Sequence, residues 1–415
     1  MTRGRFDGYR IVASCFVIQG AVIGSMFAYG VFFRELEAEF GWSRAMISGA
    51  SSLSFVIMGV LAIVAGKLND QVGPRILITV SALFFGIGYA SMSVLQAPWQ
   101  LFLFYGVLAG IGYSTHDVVT LSTIARWFVR RRGAMTGIAK VGTGIGQLLV
   151  PAIAAMLITA FGWRIAAFAI GAASLLILVL AAQLMRRDPR AVGQHPDGVE
   201  IAMGQASGAS WETGMTLAEA AATRQFWILC VVQLAVFFCL LTVMIHIVPH
   251  AIDQGVAPAV AATILSSIGA VSIAGRLTIG TLIDRLGGRR SLTICFVVLL
   301  SSFALLQVAD AAWMLFAFAA IYGFAHGGFF TAMSPTLAEF FGTGSHGVIF
   351  GMVLFSGTIG GATGPLLAGR LFDMTGNYET MFMILTGFSV FGLLLTWALG
   401  PIKPHVTGPA PESTG

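Results

Sequence analysis

Twelve apolar stretches, each about 20 residues or more and so long enough to cross a hydrocarbon layer of roughly 30 Å, dominate this chain. They run near residues 11–33, 44–65, 76–95, 99–125, 134–159, 164–185, 226–250, 259–283, 291–309, 312–338, 347–369 and 380–399. Inside lipid every backbone N–H and C=O must pair within the protein, which leaves helices as the form for segments of this length. Composition agrees, with 57% hydrophobic and 10% charged residues against roughly 25% charged in soluble domains. The predicted class is an all-α membrane protein of twelve transmembrane helices.

The net charge of +5 does not point to nucleic acid, because the basic residues cluster at alternate ends of the apolar stretches. Seventeen of the 23 Lys and Arg residues, Arg3, Arg5 and Lys403 among them, fall on the side of the N-terminus. Four, Arg34, Arg44, Arg164 and Arg370, fall on the other. By the positive-inside rule both termini are expected in the cytoplasm. Met1 to Arg10 lead straight into the first long apolar stretch without a small-residue cleavage site, which reads as a retained helix rather than a signal peptide. Cys15, Cys230, Cys239 and Cys295 all lie inside apolar stretches without metal-ligand spacing, so neither a disulfide framework nor a metal site is expected.

One long polar interruption, residues 186–223, divides six spans from six. Shifting the second half onto the first by 214 residues pairs Gly66 with Gly280, Leu68 with Leu282, Asp70 with Asp284, Gly73 with Gly287 and Arg75 with Arg289. The same shift pairs Gly133 with Gly347, Gly137 with Gly351, Gly146 with Gly360, Pro151 with Pro365, Gly162 with Gly376 and Phe168 with Phe382. The chain therefore reads as two pseudo-symmetric six-helix bundles, 1–185 and 224–400, joined by a cytoplasmic linker, 186–223, and followed by a tail, 401–415. Parallel repeats of this kind let two bundles rock around a central site. Small residues four apart, Gly142/Gly146, Gly357/Gly361 and Gly360/Gly364, suit close helix packing.

The segment from Gly66 to Arg75, repeated from Gly280 to Arg290, resembles the signature loop of the major facilitator superfamily. Asp70 and Asp284 at helix ends, with Arg75 and Arg289 across a Gly turn, are expected to form charge pairs of a cytoplasmic gate. Further segments resemble the monocarboxylate transporter and oxalate/formate antiporter group: Asp7-Gly8-Tyr9, Trp127 to Gly137, Thr216-Leu217-Ala218-Glu219 with Phe226-Trp227, His246 to His250, and Arg276 in the eighth span. The resemblance implies the major facilitator fold and transport of small carboxylates, coupled to protons or to a counter-anion. The chain departs from that pattern at Ser272, where animal monocarboxylate carriers have an acid. It also lacks a Lys in 11–33, and in 347–369 where the oxalate exchanger has one.

An ionisable side chain at mid-membrane costs about 2.5–3.5 kcal/mol on insertion scales and marks a functional candidate. Arg276 lies ten residues before Leu286, roughly 15 Å from the membrane face at 1.5 Å per residue. Asp117 lies twelve residues before Val129 and Lys140 eleven after it, so an antiparallel hairpin puts them at one depth. Arg276 offers a planar fork for a carboxylate. Lys140 is either a second cationic contact or the counter-charge of Asp117, and the residues leave both open. Asp117 is the expected proton-coupling group. His116, Tyr29 and His326 complete the substrate-binding candidates, with His246 and His250 placed nearer the outer mouth.

The expected function is a secondary active transporter of small organic anions, foremost proton-coupled monocarboxylate symport, with carboxylate exchange as the alternative and a non-transporting sensor as the remote one. No phosphate-binding G-x-x-x-x-G-K-[ST] loop is present, which leaves no engine for ATP-driven transport. No nucleophile–base set suggests an enzyme, and no cofactor is implied. A multi-pass bacterial inner-membrane location follows from the same reading.

Overall fold

The computed structural model describes residues 6–199 and 214–401. Arg3, Arg5, Lys403, the middle of the linker and the tail beyond 401 lie outside the described residues. Six helical spans come first: α1 (Gly8–Phe40), α2 (Arg44–Val72), α3 (Pro74–Ser91), a broken fourth span, α7 (Arg132–Phe161) and α8 (Trp163–Leu184). The short α9 (Leu217–Ala221) precedes α10 (Arg224–Asp253), α11 (Pro258–Leu286), α12 (Gly288–Leu306), α13 (Ala312–Phe341), α14 (His346–Thr375) and α15 (Glu379–Trp397). Among the described residues, eleven single helices are long and apolar enough to cross a membrane. The interrupted span supplies the twelfth crossing, so both described ends, near residues 6 and 401, reach one face, called here the termini face.

The 214-residue shift reappears in helix bounds. Adding 214 to the limits of α2 and α7 reproduces those of α11 and α14. The aligned glycines have a common physical cause. Gly73 and Gly287 (φ 85° and 80°), and Gly162 and Gly376 (φ 80° and 74°), occupy helix-ending conformations that a Cβ disfavours.

The fourth span departs from the single helix expected over 99–125. α4 (Pro98–Leu101) runs into π-helical turns over 102–109 and then α5 (Gly110–Tyr113). The chain bends at Ser114 and Thr115 before α6 (His116–Trp127). Ser114 Oγ donates to the Ile111 carbonyl at 2.7 Å, a local bond that competes with helix continuation. Gly112 packs so closely on α3 that a Cβ there would lie 2.3 Å from that of Phe85. The bend starts a new helix at His116 and puts Asp117 in its first turn, where the helix dipole favours negative charge.

α1 packs on α7 and α3 on α8 in the first half, α10 on α14 and α11 on α13 in the second, while α2–α14 and α7–α11 join the halves. Gly20 and Gly24 of α1 meet Gly142 and Gly146 of α7 backbone to backbone; a Cβ on Gly146 would lie 2.0 Å from the Gly20 carbonyl oxygen. Across the halves, a Cβ on Gly66 would come 2.1 Å from the Gly347 oxygen, and one on Gly137 2.5 Å from the Arg276 oxygen. These approaches run from the termini face to mid-depth. Beyond that level, Gly30 and Gly269 have no neighbouring atom within 4 Å.

Both described ends of the linker dock on symmetry-related loops at the termini face. Asp197, the one described non-Gly residue with positive φ (58°), accepts the amides of Val129 and Arg130 at 3.0 and 2.9 Å. The Met215 amide donates to the Phe341 carbonyl at 2.9 Å.

Candidate functional site

Asp117 and Lys140 form a buried ion pair, Nζ to Oδ1, between α6 and α7. Both are under 8% exposed. The Gln19 amide nitrogen of α1 donates to Asp117 Oδ1 and to Thr120 Oγ1, each at 2.8 Å, while its oxygen accepts from Thr143 of α7 at 3.0 Å. His116 Nε2 stands 3.6 Å from the other carboxylate oxygen, and its Nδ1 lies 2.6 Å from the Tyr113 carbonyl. Three helices thus close on one carboxylate. Such networks are costly unless every member is satisfied, and here Asp117 has polar neighbours at both oxygens.

Arg276 approaches the same helix from the other half. It is 1% exposed, and Nη1 donates to Ser272 one turn away at 3.0 Å. Nε has no hydrogen-bond partner, and no carboxylate pairs with the guanidinium among the described residues. A Cβ on Gly144, one turn beyond Lys140, would come 2.6 Å from Nη1, so the absent side chain makes room for the guanidinium against α7. Phe330 of α13 lies beneath Lys140, with Nζ 5.6 Å from the ring centroid, and 5.0 Å from the His326 ring. His326 is buried, and its Nδ1 is likewise without a partner.

The structure therefore brings Asp117, Lys140, His116, Arg276 and His326 into one region at the junction of the halves. Tyr29 is not part of it. Its hydroxyl donates to the Ile47 carbonyl of α2 at 2.8 Å and its ring stacks on Tyr105 at 3.8 Å, because α1 carries it about 15 Å beyond Gln19 at 1.5 Å per residue. His246 is held by Tyr378 and the Pro365 carbonyl, both at 3.1 Å, and the His250 ring packs against Phe382 at 4.8 Å.

The residues expected at the gate partner differently. Asp70 takes Arg126 at 2.5 Å and the Val348 amide at 3.3 Å, and Asp284 takes the amides of Gly133 and Ala134 at 2.6 and 2.9 Å. Arg75 instead meets Gln183 at 2.8 Å, and Arg289 the Trp397 carbonyl at 2.7 Å. The pairing of Asp70 with Arg75 and of Asp284 with Arg289 is thus corrected. Each Arg starts a helix that packs inside its own half, while each Asp ends a helix that packs against the other half.

Gln19, Thr120, Thr143 and Arg126 were not among the residues expected from charge alone. Gln19 carried one usable signal: Gln233 stands 214 residues further on. It too is buried, with a Cβ on Gly357 falling 2.9 Å from its Cγ, and Gly357 is the repeat counterpart of Thr143.

Comparison with known proteins agrees with this architecture. The family model described as Major Facilitator Superfamily matches residues 15–276 and 251–415. Monocarboxylate transporter 13 of Rattus norvegicus is 27% identical over 388 residues, covering 93% of this chain and 87% of the relative. Monocarboxylate transporter 12 of Mus musculus is 26% identical, covering 94% and 84%. An uncharacterized MFS-type transporter of Escherichia coli, YhjX, is 27% identical, covering 83% of each. Among solved structures, FucP in the outward conformation superposes with a TM-score of 0.72 at 15% identity, covering 94% of this chain and 98% of that one. The proton:xylose symporter XylE gives 0.70 at 15% identity, covering 95% and 96%. The chain is a multi-pass membrane transporter of the Major Facilitator Superfamily, and monocarboxylate transporters are among the relatives it resembles.

Proposed function

We propose that this protein is a secondary active transporter of small organic anions, working as a proton-coupled monocarboxylate symporter by alternating access. The observation that carries the reading is Arg276, a buried guanidinium with no carboxylate paired to it among the described residues. An uncompensated charge at this depth is expensive. A substrate carboxylate, bound through the planar fork, would supply the missing counter-charge.

Asp117 and Lys140 would provide the coupling. While Asp117 is ionised it cancels Lys140, and the site carries the single positive charge of Arg276, suited to a monocarboxylate. Protonation of Asp117 releases Lys140 as a second cation. His326 would add a polar contact from α13. The bundles 1–185 and 224–400 would rock about this site, with Asp70 and Asp284 latching the termini face. With both termini in the cytoplasm of a bacterial inner membrane, the appressed termini-side contacts correspond to an outward-facing state.

Carboxylate exchange is the second reading, favoured by the amide of Gln19. It donates to the carboxylate of Asp117 at 2.8 Å and so holds the pair in its charged form, leaving Arg276 to bind successive anions alone. Uptake into proteoliposomes separates the readings: symport requires an inward proton gradient, whereas exchange requires only an internal counter-anion. A panel of mono- and dicarboxylates on wild type and Arg276→Gln tests the anion site itself. Substrates should stabilise the wild type and not the variant, and a panel in which no carboxylate has any effect would overturn the assignment.

A further inference from the structure

The second signature loop borders a cleft of about 470 Å³ between α12 and α15 at the termini face, lined by Leu286, Arg289, Arg290, Thr293, Ile294 and Trp397. Arg289 and Arg290 are both exposed. Arg289 spends one N–H on the Trp397 carbonyl at 2.7 Å, and Arg290 has no hydrogen-bond or ion-pair partner among the described residues. Glu339, in the last turn of α13, is turned to the Gly288 amide at 2.6 Å. Trp397 is 52% exposed at the end of α15, as an interfacial tryptophan would be.

The internal repeat supplies a comparison within the same molecule. The counterparts of these residues, 214 positions earlier, are Val72, Arg75, Ile76, Thr79, Val80 and Gln183. There Arg75 is engaged by the Gln183 side chain at 2.8 Å, Ile76 stands in place of Arg290, and Arg187 lies on the Gln71 carbonyl at 3.4 Å. Packing alone is met in the first half by one arginine with a side-chain partner. The second half instead has two adjacent arginines without a counter-charge among the described residues, and an aromatic wall.

We propose that this cleft is a binding site for an anionic phospholipid. The phosphate would take the forked N–H groups of Arg290 and the remaining donors of Arg289, with an acyl chain along Leu286, Ile294 and Trp397. Charge complementarity selects this occupant. The cleft opens at helix ends where headgroups lie, its floor is apolar, and basic pockets between helices on this face suit acidic headgroups.

The test uses the full-length purified protein, with phosphatidylglycerol, phosphatidylcholine and inorganic phosphate as separate probes, read by thermal shift and lipid titration. Phosphatidylglycerol should bind and stabilise where phosphatidylcholine does not. With each basic contact worth about fivefold in affinity, Arg290→Gln weakens binding about fivefold and Arg289→Gln/Arg290→Gln about thirtyfold. Arg75→Gln should leave it unchanged. If the double variant does not fold, Arg290→Gln alone keeps the test, since that side chain makes no bond among the described residues. Equal binding of phosphatidylglycerol by wild type and Arg290→Gln overturns the site. So does equal stabilisation by phosphatidylcholine, or saturation of the response by inorganic phosphate alone. The outcome is independent of the carboxylate panel, because no residue of the cleft belongs to the central cluster.

Discussion

Asp284, in the last turn of α11, accepts the backbone amide of Gly133 at 2.6 Å and so caps the first turn of α7 in the other half. Asp70, in the last turn of α2, meets α14 in the same way through the Val348 amide at 3.3 Å. Each half therefore holds the other by a carboxylate at a helix N-terminus, where capping and the dipole act together. The latch uses backbone donors that no substitution in α7 or α14 other than proline can remove.

Loss of one such cap should loosen the termini face. Asp284→Ala removes an interaction worth about 1–2 kcal/mol, enough to shift a two-state equilibrium about five- to thirtyfold. Spin labels at the exposed Arg130 and Arg285, one on each half, should show a longer-distance population growing accordingly. An unchanged distance distribution would show that the caps do not hold the closed face.

The Asp117–Lys140 pair should behave as a unit. Breaking a buried pair from one side costs about 3–5 kcal/mol because the remaining charge is stranded, whereas an apolar replacement of both is far better tolerated. Lys140→Met should therefore lower the melting temperature more than Lys140→Met/Asp117→Leu does. Both variants should lose proton-dependent uptake. Additive melting shifts in the four-member cycle would mean that the pair is uncoupled.

Two glycines near Arg276 should fail for different reasons. A Cβ at Gly327 would lie 1.9 Å from the Ser272 carbonyl oxygen, so Gly327→Ala must part α11 from α13 and should cost about 1–3 kcal/mol, seen as a lower melting temperature. A Cβ at Gly144 meets the movable guanidinium instead, at 2.6 Å. Gly144→Ala should keep the fold and raise the KM for the carboxylate about tenfold, the loss of about 1.4 kcal/mol of substrate binding. Gly30→Ala, facing open space, should be silent in both assays.

The small capping box of α9 predicts a pH effect confined to the linker's end. Glu219 accepts the amide and hydroxyl of Thr216 at 2.7 and 2.9 Å, and these bonds lower its pKa from the ordinary carboxylate value. A depressed value means that the contribution to stability is present above about pH 4.3, the unfolded value, and is lost as pH falls through the lower folded value. Amide exchange protection at 217–222 should drop on acidification in the wild type. Glu219→Gln should lack that step.

Much of this protein was legible without coordinates because the bilayer restricts the options so severely. Uninterrupted apolar length identified the spans, and the single 214-residue offset identified the duplication. Asp117 and Lys140 were recoverable as a pair because a hairpin turn fixes relative depth. Gln19 was harder, since an uncharged amide in an apolar run carries no topological cost large enough to stand out. The gate partners were not legible at all. Across the halves Asp70 and Asp284 bind backbone amides, which look the same at every position of a sequence, and the Arg126 that pairs with Asp70 lies 56 residues away. The break in the fourth span escaped for a related reason: hydropathy over 99–125 is continuous, while the bend falls at Ser114 and Thr115, where a side-chain bond to the Ile111 carbonyl competes with the helix. The sequence by itself determined the membrane, the number of crossings, the repeat and the list of charges that had to be buried. Only the tertiary structure decided which of those charges pair with one another and which, in Arg276, has no carboxylate paired to it among the described residues. That distinction depends on which helices meet across the two halves, a long-range contact that local pattern does not encode.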